Sequence, residues 1–176
     1  PATSHRVNLV STGLLLDDED TALMWRGLML SQALEQFLRD VAWAQDLDYL
    51  LLDMPPGTGD VQLTLCQRAR PDGAIVVSTP QDVALLDARK ALDMFQKMGT
   101  PVLGMIENMS TYICPKCGNE EHIFGHGGAK ADAERLGLPF LGEIPLNLDI
   151  RVAADGGTPI VASKPESAQA RAFQAI

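Results

Sequence analysis

Cys114-Pro-Lys-Cys117-Gly118 sets two thiols in a Cys-x-x-Cys spacing. At that spacing both sulfurs reach one metal ion while the N–H groups that follow point at them. A tetrahedral site takes four ligands, and the chain holds one such pair. His122 and His126 follow too closely for a zinc finger and read as surface loop histidines, outside the ligand set. The other completion is a second Cys pair from a twofold mate, since a symmetry axis duplicates whatever lies on it. Four thiolates assembled in that way suit an iron–sulfur cluster or zinc. The third cysteine, Cys66, falls in a helical stretch and reads as a packed small residue.

A second group of residues points to phosphate chemistry. In Tyr49-Leu-Leu-Leu-Asp53-Met-Pro-Pro-Gly57-Thr-Gly59-Asp60 an apolar run enters an aspartate and then a series of turn-formers. The run reads as a strand buried on both faces, as in parallel sheets, with Asp53 at its carboxyl end, where open α/β sheets bind ligands. A carboxylate there is the usual holder of Mg²⁺ in nucleoside triphosphatases. Gly57 and Gly59 let backbone N–H groups approach a phosphate, and Asp60 reads as the N-cap of a helix over Val61–Ala69. Asn108, expected just past a later strand end, offers the donor–acceptor pair of an amide that can read adenine. A guanine reader would carry Lys and Asp nearby, and Asn-Met-Ser lacks both.

The elements that must position these groups alternate. His5–Val10 reads as a strand, Asp17–Asp20 as an acidic loop, and Met29–Val41 as a helix with an apolar stripe over Leu30, Ala33, Leu34, Phe37, Leu38 and Val41. Trp25 reads as a packed residue at the entry of that helix. Gly73–Ser78 reads as a second buried strand, and a helix from about Asp82 to Met98 is stopped by Gly99. Pro101–Ile106 is a third strand, Thr111–Gly128 an irregular insert, and Ala129–Leu136 a short helix closed by Gly137. Phe140–Ile144 is a fourth strand, followed by Pro145. A helical turn near Asp149–Ala154 precedes a final helix opened by a capping box at Ser163–Glu166. Strands alternating with helices predict one α/β domain over residues 1–176 with a mostly parallel, doubly wound sheet.

Composition narrows the functional class. Of 176 residues, 46% are hydrophobic and 21% charged, as in a soluble globular domain. A net charge of −9 without basic clusters argues against a nucleic-acid surface. No apolar stretch reaches membrane-spanning length, so a cytoplasmic protein with neither nucleic-acid nor membrane partners is expected.

Leu-Asp-Met-Pro-Pro-Gly-Thr-Gly-Asp, Ser-Thr-Pro-Gln-Asp, Glu-Asn-Met-Ser, Cys-Pro-Lys-Cys-Gly and Ile-Pro-Leu occur here in that order. In this the chain resembles the Mrp/ApbC family, MinD-like deviant Walker P-loop ATPases that carry and transfer [4Fe–4S] clusters. The resemblance implies a P-loop NTPase fold, ATP and Mg²⁺ as cofactors, and a homodimer that serves apo iron–sulfur proteins and cluster scaffold proteins. By it, Asp53 matches the Walker B aspartate, Gly57 the switch II glycine, Asn108 the adenine-facing residue with Pro145 nearby, and Cys114 and Cys117 the cluster-bridging pair. The family's Gly/Lys phosphate loop has no counterpart, since no Gly-x-x-x-x-Gly-Lys occurs in this sequence. The chain therefore reads as the C-terminal two-thirds or so of such a protein, not expected to hydrolyse ATP alone. Two rival readings are a non-catalytic dimeric scaffold holding zinc and a MinD/ParA-like positioning ATPase.

Overall fold

The computed structural model describes residues 1–15, 27–55 and 57–176. Asp17–Asp20, Trp25 and Pro56 lie outside the described residues. The described contacts divide into two compact units, Pro1–Arg70 and Pro71–Ile176, each treated by itself.

In the first unit, β1 (Ala2–Ser4) pairs antiparallel with β2 (Val7–Leu9) in the register Thr3↔Asn8. His5 and Arg6 both take left-handed φ, the twist that a two-residue hairpin turn requires. The strand expected over His5–Val10 is therefore one arm of a hairpin that begins upstream of it. Helix α1 (Gly27–Arg39) packs on α2 (Asp60–Ala69). Ser31 Oγ lies 3.3 Å from Thr64 Oγ1, and Arg68 Nε lies 3.1 Å from Glu35. Ala33, Leu65 and Cys66 are buried, the packed role expected of Cys66.

Two expectations fail in this unit. Tyr49–Leu52 forms no strand: Tyr49 is 82% and Leu51 88% exposed, and the segment is irregular. A parallel strand exists only through its ladder partners, and among the described residues of this unit the two strands pair with each other. Asp60 is the first residue of α2 and not its cap. Gly59 is the N-cap, with no side-chain hydrogen bond, and Asp60 favours the helix through its charge in the first turn.

The second unit is built on β4. Strand β3 (Ala74–Ser78) runs parallel to β4 (Val102–Ile113), and β4 runs parallel to β6 (Phe140–Leu146). Short β5 (Glu120–Glu121) pairs antiparallel with the far end of β4. Helix α3 (Asp82–Met98) crosses from β3 to β4, and α4 (Gly128–Leu136) precedes β6. Both end on glycines in the left-handed conformation, Gly99 and Gly137, as the sequence predicts. Strands β4 and β6 approach closely at Gly104, where a Cβ would lie 2.8 Å from the Pro139 carbonyl oxygen. Asp132 ties α4 to α3 by accepting from Arg89 at 2.7 Å and from Arg135 at 3.0 Å. Burial pushes its carboxyl pKa up, but the two guanidiniums outweigh it and hold the value below the ordinary carboxylate range. The stability Asp132 lends is thus present above the unfolded pKa and is lost as pH falls through the lowered one.

Strand β3 is buried on one face only: Val76 and Ser78 face inward, while Ile75 and Val77 are about half exposed. Strand β4 runs seven residues beyond the expected Ile106, so part of the irregular insert is strand. The C-terminal part holds α5 (Leu148–Asp155), α6 (Ile160–Ser163) and α7 (Ala168–Gln174). Asn147 caps α5 through Asp149 N at 2.8 Å. The cap of α7 is Ser167, which accepts from Ala170 N at 3.1 Å. Ser163 ends α6 and directs its hydroxyl back to the Pro159 carbonyl, so the capping box expected there does not form.

Candidate functional site

Strand β4 carries Glu107, Asn108, Ser110 and, just past its end, Cys114. Cys114 and Cys117 sit in the tight turn between β4 and β5. Cys114 N donates to the Asn119 carbonyl and Gly118 N to the Cys114 carbonyl, each at 2.9 Å. Cys114 is half-buried and Cys117 exposed. The Lys116 amide, then the Cys117 amide and thiol, pull the Cys114 thiol below its ordinary pKa, against desolvation and the Glu121 carboxylate. Amides aimed at a sulfur favour the thiolate, which is the metal-binding form. Cys66 belongs to the other unit.

Asn108 lies within β4 and not past a strand end. Its register partner is Ile144, whereas the next paired position is Tyr112↔Leu146. Asn108, Pro145 and the intervening β4 residues therefore share one irregular place in the ladder. Pro145 has no N–H to give to the ladder, and β4 bulges opposite it. Within the bulge Met109 takes φ 56°, uncommon for a residue with a side chain, and Asn108 Oδ1 accepts from Met109 N at 3.0 Å. Asn108 thus supports its own turn, the local use that an amide in such a place also serves.

Asp53 and Gly57 lie in the first unit, in the irregular segment before α2, and both are exposed. Gln62, buried on α2, donates from Nε2 to the Pro55 carbonyl at 2.8 Å and so fixes part of that loop. Gly57 has φ 98°, and a Cβ there would meet nothing within 4 Å. The loop is open and its conformation requires glycine.

The sequence did not single out a buried polar cluster on β4. Glu107 has no exposed surface. Its Oε1 accepts from Gly127 N and its Oε2 from Ala129 N, each at 2.8 Å. These are donors at the start of α4, whose N-cap Gly127 offers no side chain. Glu107 therefore caps α4 from another element, its charge favoured by the helix dipole. Ser110 Oγ lies 2.7 Å from Glu107 Oε1, 3.1 Å from Glu143 Oε2 and 3.0 Å from His126 Nδ1. The one hydroxyl proton serves one carboxylate at a time, and a His126 ring protonated at Nδ1 donates to the serine. The imidazole of His126 stacks on that of His122 with centroids 4.3 Å apart. Reading both histidines as plain surface loop residues was incomplete, because His126 is hydrogen-bonded to the sheet. One signal was available: a helix opening on Gly127-Gly128 has no cap of its own and must draw one from elsewhere. Ligand atoms of Glu107, His126 and Glu143 lie within 4.8 Å of one another, as a metal site would need. The Ser110 hydroxyl occupies the hub of that triangle, and helix amides already engage both Glu107 oxygens. The cluster is a hydrogen-bonded clamp.

Comparison with known proteins gives a consistent picture. The family model described as ParA, NUBPL iron-transfer P-loop NTPase, matches residues 1–176. The chain is 50% identical over 173 residues to the iron-sulfur cluster transfer protein NUBPL of Mus musculus, covering 98% of this chain and 54% of that protein. It is 53% identical over 167 residues to the iron-sulfur cluster carrier protein of Escherichia coli K12, covering 95% of this chain and 45% of that protein. Among solved structures, the nucleotide-binding protein of Archaeoglobus fulgidus in complex with ADP superposes with a TM-score of 0.68 at 41% identity, over 80% of this chain and 56% of that one. The chain spans about half the length of the curated relatives it matches.

Proposed function

The chain belongs to the NUBPL iron-transfer P-loop NTPase (ParA) family, and on that premise we propose that it is the cluster-bearing part of an iron–sulfur cluster carrier. The observation that carries the reading is the Cys114/Cys117 turn: two accessible sulfurs at the tip of a hairpin, one with its thiolate favoured by local amides. The cargo is a [4Fe–4S] cluster bridged between two copies of the chain, with zinc as a possible substitute in the same thiolates. Its partners are apo iron–sulfur proteins, which receive the cluster, and cluster scaffold proteins. Two thiolates from each copy hold such a cluster loosely enough for an acceptor with its own cysteines to remove it. The net charge of −9 disfavours nucleic acid, and no helix among the described residues is long and apolar enough to cross a membrane.

The nucleotide would be ATP with Mg²⁺, supplying regulation of the carrier through the switch elements. In this role Asp53 would hold the Mg²⁺ shell, Gly57 would turn a backbone N–H toward the γ-phosphate, and Asn108 beside Pro145 would face the base. Asp53 and Gly57 lie in an open loop of the first unit, and Asn108 and Pro145 at the ladder irregularity of the second. The chain carries no Gly/Lys loop to cradle the phosphates, so no hydrolytic step is assigned to it. In a full-length member that has the loop, Asn108→Ala is expected to weaken adenine-nucleotide binding by about 1–3 kcal/mol, with guanine nucleotides less affected. Equal loss for both would mean that Asn108 serves only the turn at Met109.

The function is tested by reconstituting the chain anaerobically with iron and sulfide, then mixing it with an apo acceptor. The expected result is cluster absorption on the carrier that moves to the acceptor after separation. A zinc-loaded protein that takes up no cluster would support the scaffold reading instead.

A further inference from the structure

The hairpin that presents Cys114 and Cys117 is held to the sheet by very little of its own ladder. Strand β5 contributes two paired positions, Tyr112↔Glu121 and Ile113↔Glu120, and the Cys114–Asn119 backbone bond closes the turn. So short a pairing is marginal by itself. Yet a half-site must offer its sulfurs in one geometry if a second copy is to complete it. Something else has to fix the hairpin.

We propose that Ser110 and His126 are positioning residues for the thiolate pair, clamping the return arm of the hairpin onto β4. This rests on the reading of the pair as metal ligands. Ser110 stands on the strand that leads directly into Cys114, and His126 stands on the arm that comes back from Cys117. Their 3.0 Å hydrogen bond joins the two arms below the turn. His122, just after β5, stacks on His126 and extends the grip toward the hairpin. Glu107 secures the base of the clamp by holding both Ser110 and the amides of Gly127 and Ala129, so the arm continues into a fixed α4. Ser110 is 1% exposed and Glu107 wholly buried, so this end does not shift with solvent. Neither Ser110 nor His126 touches the metal. They act one step further out than partners that hydrogen-bond a ligand directly, by fixing the two arms that carry the cysteines, so their loss should cost metal affinity more than it costs the fold.

The probe is Co²⁺ alone, followed by thiolate-to-cobalt charge-transfer absorption, with the melting temperature measured in parallel. Ser110→Ala and His126→Ala should each raise the Co²⁺ concentration at half-saturation by about tenfold. His126→Asn, whose amide can donate from nearly the same place as Nδ1, should restore most of the affinity. Ser167→Ala is the control: it removes the α7 cap, far along the chain from the hairpin, and should lower the melting temperature without changing Co²⁺ binding. Unchanged Co²⁺ binding in Ser110→Ala and His126→Ala, or an equal loss in Ser167→Ala, would overturn the clamp while leaving the cysteine reading intact. A charge-transfer band that is missing in the wild type, or that survives with both cysteines replaced, would overturn the cysteine reading and the clamp with it.

Discussion

Replacing either Cys114 or Cys117 with alanine is expected to abolish both the cluster and the dimer after anaerobic reconstitution, whereas Cys66→Ala keeps both. The argument is ligand arithmetic. Each chain offers two accessible thiols, and the third is buried on α2. A cluster with four thiolate ligands is then reached most simply by two copies meeting at their hairpins. Because neither copy holds a complete site, metal binding and association are one equilibrium, and removing one sulfur from each copy removes half of the ligands at once. Visible absorption reads the cluster and sizing chromatography reads the dimer, and the two signals should fall together. A metal-loaded monomer, or loss of the cluster in Cys66→Ala alone, would sink the bridging model.

The second large effect is expected at Glu107. Its carboxylate is fully buried and accepts from two amides at the start of α4 and from the Ser110 hydroxyl. Glu107→Ala leaves the Gly127 and Ala129 amides without their acceptor, while the Ser110 hydroxyl can still turn to Glu143. An orphaned buried polar group costs about 1–3 kcal/mol, so with two amides affected the loss should be on the order of 3 kcal/mol. Glu107→Gln tests the charge separately. A glutamine can still accept at one oxygen, but its NH₂ then faces a backbone N–H, so it should recover only part of the stability. Urea unfolding monitored by circular dichroism measures both variants. A Glu107→Ala midpoint within error of wild type would show that the carboxylate does not cap α4.

The family of the chain was legible in its sequence, and so was the type of most of its elements. Cys-x-x-Cys spacing lets two sulfurs meet once the residues between them turn, and Pro115 and Gly118 mark such a turn locally. Helix α3 and its stop at Gly99 were readable because helix periodicity and a left-handed glycine cap are local properties. The same holds for α4 and Gly137. Local signals misled where the outcome depended on distant partners. Tyr49–Leu52 has the composition of a buried strand, but pairing cannot be read from one strand alone, and in its unit the run is exposed. Ser163 matched a capping box, but α6 engages its hydroxyl, and α7 is capped by Ser167 alone.

Tertiary structure alone decided the clamp. Glu107 and Gly127 are twenty residues apart, and no spacing rule joins them. The link exists because β4 runs alongside the start of α4, where bare amides need an acceptor and a buried carboxylate needs donors. The bulge at Met109 likewise follows from Pro145 lying opposite it on β6, a neighbour set by strand register. Sequence determined which atoms could bind a metal; the packing of β4 against α4 and β6 decided what holds those atoms in place, since hydrogen bonds between elements depend on where each element is carried by all the others.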